Sequence, residues 1–63
     1  MLRSYELTLI EQSGARRFQP LLSDSELDAC IQARKVLEQD HLAEVELSRG
    51  GEHLITFYPA QRS

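Results

Sequence analysis

Several classes of protein are excluded by what this 63-residue sequence lacks. It holds a single cysteine, Cys30, so no internal disulfide can form and no multi-cysteine zinc site can be built. Its uninterrupted apolar runs reach at most three residues, too short for a membrane span or for the hydrophobic region of a secretory signal. No low-complexity tract occurs. A glycine-rich phosphate loop, an H-E-x-x-H pair, a nucleophile elbow and EF-hand spacing are all missing. Basic residues are outnumbered seven to ten, and the formal charge of −3 disfavours an electrostatic hold on nucleic acid or anionic lipid. These absences predict a cytoplasmic protein with no cofactor, no bound metal and no membrane partner.

What is present points to one folded domain spanning residues 1–63. Hydrophobic residues make up 41% of the chain and are mixed evenly with 27% charged ones, a blend that buries a core and is not that of a disordered segment. From Leu2 to Glu11 the residues alternate, with Tyr5, Leu7 and Leu9 on one side and Glu6 and Thr8 on the other; Ile10 is the exception. Period two with β-favouring side chains predicts a half-buried strand. Gln12-Ser13-Gly14-Ala15 is a turn. A second strand follows over Arg16–Leu22, with Phe18, Pro20 and Leu22 predicted to share the inward face. Pro20 cannot donate to a ladder, so that strand should lie at a sheet edge or carry a bulge.

Ser23-Asp24-Ser25-Glu26 reads as a capping box, with Ser23 as N-cap and Glu26 three residues on. The helix is predicted from about Asp24 to about Gln39, burying a stripe of Leu27, Cys30, Ile31, Ala33 and Leu37. Arg34 falls inside that stripe, where its aliphatic stem can lie along the rim while its head reaches water or Glu38. Period two returns with Ala43, Val45 and Leu47, and again after Gly50-Gly51. A three-residue Arg49-Gly50-Gly51 loop is preferred there, because it pairs Val45 with Ile55 and Ala43 with Phe57 and so buries both large side chains.

The resulting fold class is α+β: β-β-α-β-β, a four-stranded antiparallel sheet in the order 2-1-3-4 with one helix on one face. The predicted core is Tyr5, Leu7, Leu9, Phe18, Leu22, Leu27, Cys30, Ile31, Leu37, Leu42, Val45, Leu47, Ile55 and Phe57. One helix leaves the other sheet face open, and that face should carry Ile10, Leu54, Thr56 and Tyr58 beside Glu6, Glu44 and Glu46. The four apolar or amphipathic residues are the predicted interface, with a protein partner or a second copy as occupant and a homodimer slightly favoured. The three carboxylates could hold a divalent cation, but a solvated sheet face is the favoured reading.

Chemistry-bearing residues are sparse. His41 lies just past the helix, where a cation complements the helix dipole. His53 flanks the last turn and is predicted to face inward near the core edge, on the side of Ile55 and Phe57, as a lone hydrogen-bonded edge histidine. Cys30, on the buried stripe, is predicted to be an inert small hydrophobe. No catalytic residue is assigned, and the protein is read as a non-enzyme. Arg16-Arg17 and Arg49 sit at opposite ends of the sheet and so make no basic stripe for nucleic acid.

Tyr5, Gly14, Asp24 to Ala29, and Val45-Glu46-Leu47 with Gly50-Gly51 resemble the outline of short uncharacterised bacterial hairpin–helix–hairpin proteins, a family of unknown function. That resemblance implies the fold and assigns no site residue. A looser likeness in outline to small antitoxins that pair strands with a helix supplies the alternative reading, a regulatory module acting on a nucleic-acid-acting partner.

Overall fold

A computed structural model describes residues 1–60. Strands β1 (Arg3–Ile10) and β2 (Arg16–Ser23) form the first hairpin; helix α1 (Glu26–Gln39) follows; β3 (Glu44–Arg49) and β4 (Glu52–Phe57) form the second. The sheet order is β2-β1-β3-β4, antiparallel throughout, as the connection lengths and the avoidance of parallel neighbours require. α1 covers one face, and the core fills the space between. Tyr5, Leu7 and Leu9 from β1 and Val45 and Leu47 from β3 are fully buried, each on the residue parity that alternation assigns to the inner face. Phe57 and Leu42 join them as expected.

The first hairpin closes through Gln12–Gly14. The Gly14 amide donates to the Glu11 carbonyl at 2.8 Å and the Glu11 amide to the Ala15 carbonyl at 2.9 Å, with Gly14 at φ 93°, where only glycine rests without strain. This closure pairs Ile10 with Arg16, Thr8 with Phe18 and Tyr5 with Leu21. Even-numbered residues of both strands therefore share the outer face. Phe18 and Leu22, expected in the core, are exposed, and Leu21 is buried instead. Pro20 sits in an edge strand opposite Glu6; counting from the hydrogen-bonded Glu11–Ala15 pair, this is a non-hydrogen-bonded pair, so its missing N–H faces away from β1 and no ladder bond is lost.

β2 continues through Ser23, which pairs with Arg3, so Ser23 is a strand residue and Ser25 is the N-cap. The Ser25 hydroxyl accepts the Asp28 amide at 3.1 Å. The helix then buries Ala29, Ala33 and Leu37, an i, i+4, i+8 row. Against the predicted stripe this is a rotation of about 75° at 100° per residue. Two alanines let the helix axis approach the sheet closely, and that gain in packing outweighs burying the bulkier Leu27 and Ile31, which are 73% and 48% exposed. Cys30 and Val36 flank the core, half-buried.

α1 ends in a Schellman motif. The Leu42 amide donates to the Leu37 carbonyl at 3.1 Å and the His41 amide to Glu38 at 3.4 Å, which places His41 at φ 52° in the left-handed position normally given to glycine. In the second hairpin Gly50 (φ 59°) and Gly51 (φ 82°) make a two-residue turn that pairs Arg49 with Glu52, not the three-residue loop expected. A bulge then inserts Leu54 into β4: Ser48 pairs with His53, but Leu47 pairs with Ile55 and Val45 with Phe57. The bulge, not the turn, returns Phe57 to the inner face. Ile55 shares that face but lies on the outermost strand beyond the helix, and it stays 41% exposed rather than buried as expected.

Candidate functional site: the open sheet face

The face away from α1 is defined by register. Moving across the sheet, one row reads Pro20, Glu6, Ser48 and His53; the next Phe18, Thr8, Glu46 and Thr56; the third Arg16, Ile10 and Glu44. Tyr58 follows Phe57 by one residue and, where the alternation continues, falls on this face beside Glu44. The centre of the face is thus a strip of carboxylates, Glu6, Glu46 and Glu44, on β1 and β3. Phe18, Pro20 and Leu22 line its β2 side. Phe18 is 78% exposed. With Pro20, Gln19 and Glu6 it borders a shallow recess of about 140 Å³.

Of the predicted interface residues, Ile10 and Thr56 lie half-buried on this face, and Tyr58 is exposed next to it. Leu54 does not belong to it: the bulge turns Leu54 toward the core, against which it packs. Phe18, Pro20 and Leu22, assigned inward from the sequence, are the larger apolar part of the open face. The missed signal was the parity of the first turn. Closing that hairpin on Ile10–Arg16 sets even residues opposite even ones, and Tyr5 inward then means Leu21 inward.

Electrostatics separate the strip from the sheet ends. Among the described residues the ion pairs belong to Arg17, whose Nε lies 2.9 Å from Glu11 and whose terminal nitrogen lies 3.7 Å from Asp40. Glu6, Glu44 and Glu46 have no cationic partner there, and the strip presents uncompensated negative charge between apolar flanks. No group of three or more His, Cys, Asp or Glu side chains converges on one point among the described residues. Arg49 follows Ser48, which stands opposite Glu6, whereas Arg16 stands opposite Ile10; the basic tips are therefore at opposite ends.

The remaining reactive groups are separated. His53, expected to face inward, lies on the open face because the bulge reverses the alternation of β4 between it and Ile55; its Nε2 lies 2.7 Å from Thr56 Oγ1, across the bulge. His41 is exposed at the helix end, and its carbonyl accepts Gln12 Nε2 at 3.4 Å. Burial pushes the Cys30 thiol up, with Glu26 adding to the shift, so thiolate formation is suppressed as expected for a packing residue. The Ser23 hydroxyl lies 2.7 Å from both the Ser25 carbonyl and the Asp28 carboxylate, with one proton to give, and Gln32 Nε2 donates to the same carboxylate at 2.7 Å. This network fixes the start of the helix to the end of β2.

Among the described residues no helix is long and apolar enough to cross a membrane. Comparison with family models, with curated proteins and with solved structures finds no match to this chain.

Proposed function

We propose that the protein is a non-enzymatic protein-interaction module that docks a partner on the open face of its sheet. The observation that carries this reading is the pairing of exposed apolar side chains on β2, Phe18 above all, with an unpaired carboxylate strip on β1 and β3. Apolar patches rimmed by charge characterise docking surfaces. The chemistry selects the occupant: a partner segment with apolar side chains and Lys or Arg spaced to meet Glu6, Glu46 and Glu44. A second copy laid face to face and centred on the sheet would set this strip against itself, a like-charge arrangement that costs several kcal/mol. The face is therefore assigned to a heterologous partner. The scatter of His41, His53 and Cys30 supports a role without catalysis.

Capture from host-cell extract with wild type and two open-face variants, Phe18→Asp and Glu46→Lys, tests the reading. A partner retained by the wild type, lost by both variants and released by added salt supports it. A partner set that both variants retain would overturn it. Duplex or single-stranded nucleic acid that binds purified protein at low salt, and loses that binding steeply as salt rises, would instead favour the regulatory, antitoxin-like alternative.

A further inference from the structure

The recess on the open face has walls of two kinds, and strand register explains why. Counted from the hydrogen-bonded Glu11–Ala15 pair, Glu6–Pro20 and Thr8–Phe18 are both non-hydrogen-bonded pairs, the kind in which facing side chains stand closest. Glu6 is thus set beside the Pro20 ring, with Phe18 on its diagonal one step along β2. Thr8 is smaller than the ring it faces, and the space between Phe18, Pro20 and Glu6 stays open. It measures about 140 Å³ and is bordered also by Gln19. Glu6, Phe18 and Pro20 are all exposed, so the recess opens directly to solvent.

Phe18 and Pro20 give the recess carbon walls, and Glu6 gives it one formal charge. That charge is not compensated from within: Glu6 has no ion-pair partner among the described residues, and Arg17 is engaged by Glu11 and Asp40. Arg16 stands opposite Ile10, beyond Phe18 and away from Glu6. Size narrows the occupant further. Sites for free small molecules run to about 300–1,000 Å³, whereas this recess holds the end of one side chain.

We propose that the recess takes one arginine side chain of the partner that docks on the open face, an inference that rests on the docking role assigned to that face. The aliphatic stem lies along Pro20, the guanidinium stacks on the Phe18 ring, and its N–H groups donate to the Glu6 carboxylate. An aromatic face and a carboxylate both attract a cation, and here the register sets them side by side. Arginine suits the site better than lysine for two reasons. Its planar head fills a shallow space by stacking, and it is more weakly hydrated than an ammonium, so leaving water for carbon walls costs it less.

Titration of the labelled protein with the blocked peptide acetyl-Gly-Arg-Gly-amide, followed by amide NMR shifts, tests the proposal. Saturable shifts are expected at Glu6, Phe18 and Gln19. The lysine peptide should bind more weakly, and the citrulline peptide, of the same shape without the charge, should not bind. Glu6→Gln and Phe18→Leu, both at exposed positions, should each weaken arginine binding by about threefold to fivefold. Glu44→Gln is the control. Glu44 lies four residues along the strip from Glu6, about 13 Å away, beyond the screening length of about 8 Å at 0.15 M salt, and its loss should leave binding unchanged. No binding, equal binding of the citrulline or lysine peptide, full affinity in Phe18→Leu, or equal losses for Glu44→Gln and Glu6→Gln each overturn the proposal. The docking role is judged separately by partner capture. Failure of the peptide with capture intact removes arginine from the recess and leaves the docking face standing, whereas failure of both removes the face as well.

Discussion

The central strands β1 and β3 and the edge strands β2 and β4 obey different rules. In the centre, alternation is followed without exception: Tyr5, Leu7, Leu9, Val45 and Leu47 are buried, and the residues between them face outward. At the edges, large apolar side chains stand exposed, Phe18 and Leu22 on β2 and Ile55 on β4, and β4 shifts its own register with a bulge. A central strand has neighbours on both sides and the helix above, so turning one residue outward would leave a hole and bury a charge. An edge strand has one neighbour and only partial cover. Its apolar residues are released from the core, and there they can serve contact with other chains.

Paired truncations would break this comparison if it is wrong. Leu47→Ala on β3 removes a fully buried side chain and should destabilise by about 2–5 kcal/mol, read from denaturant midpoints. Phe18→Ala on β2 deletes a larger ring yet should cost no more than about 0.5 kcal/mol. Equal losses would show that β2 is as much a part of the core as β3.

Tyr5 sharpens the same contrast, because it is fully buried on a central strand and its hydroxyl finds no partner among the described residues. Tyr5→Phe should be neutral or stabilise by up to about 1 kcal/mol in thermal or chemical unfolding, since a buried unpaired hydroxyl costs free energy. A marked loss would reveal a hydrogen bond to that oxygen. At the link into β3, His41→Gly should stabilise by roughly 0.5–1 kcal/mol, because a side chain at φ 52° is strained and glycine is not.

The smallest effect concerns the tie between α1 and the β2 edge. The Ser23 hydroxyl, and after it the Gln32 amide, hold the Asp28 carboxyl below its ordinary value of 3.8. The charged form is favoured in the folded chain. Its contribution is therefore complete above the ordinary value and is lost as pH falls through the lower, folded value. Unfolding midpoints should drop over that acid range in the wild type, and the drop should shrink in Asp28→Asn. Identical pH profiles would remove Asp28 from the account.

Legibility in the sequence follows the same division. The element order, the sheet order and the buried residues of β1 and β3 could be read because alternation there has one solution. The face of β2 was misread because Phe18, Pro20 and Leu22 look like a core row, and only the closing pair of the first turn shows otherwise. The helix was misread by about 75° for a related reason: side-chain size suggested Leu27 and Ile31, whereas close approach to the sheet selects Ala29 and Ala33. The open face was foreseen as a surface and misassigned in part of its membership, losing Leu54 and gaining Phe18 and Leu22.

Local chemistry alone determined the two hairpins, the capped helix between them and the antiparallel order, since turn residues, periodicity and short connections act within a few positions of themselves. Tertiary structure alone decided which way the edge strands face, how the helix is rotated and where β4 bulges. Those choices depend on how closely a helix can approach a sheet and how few strands it can cover, and neither distance is encoded in any one segment.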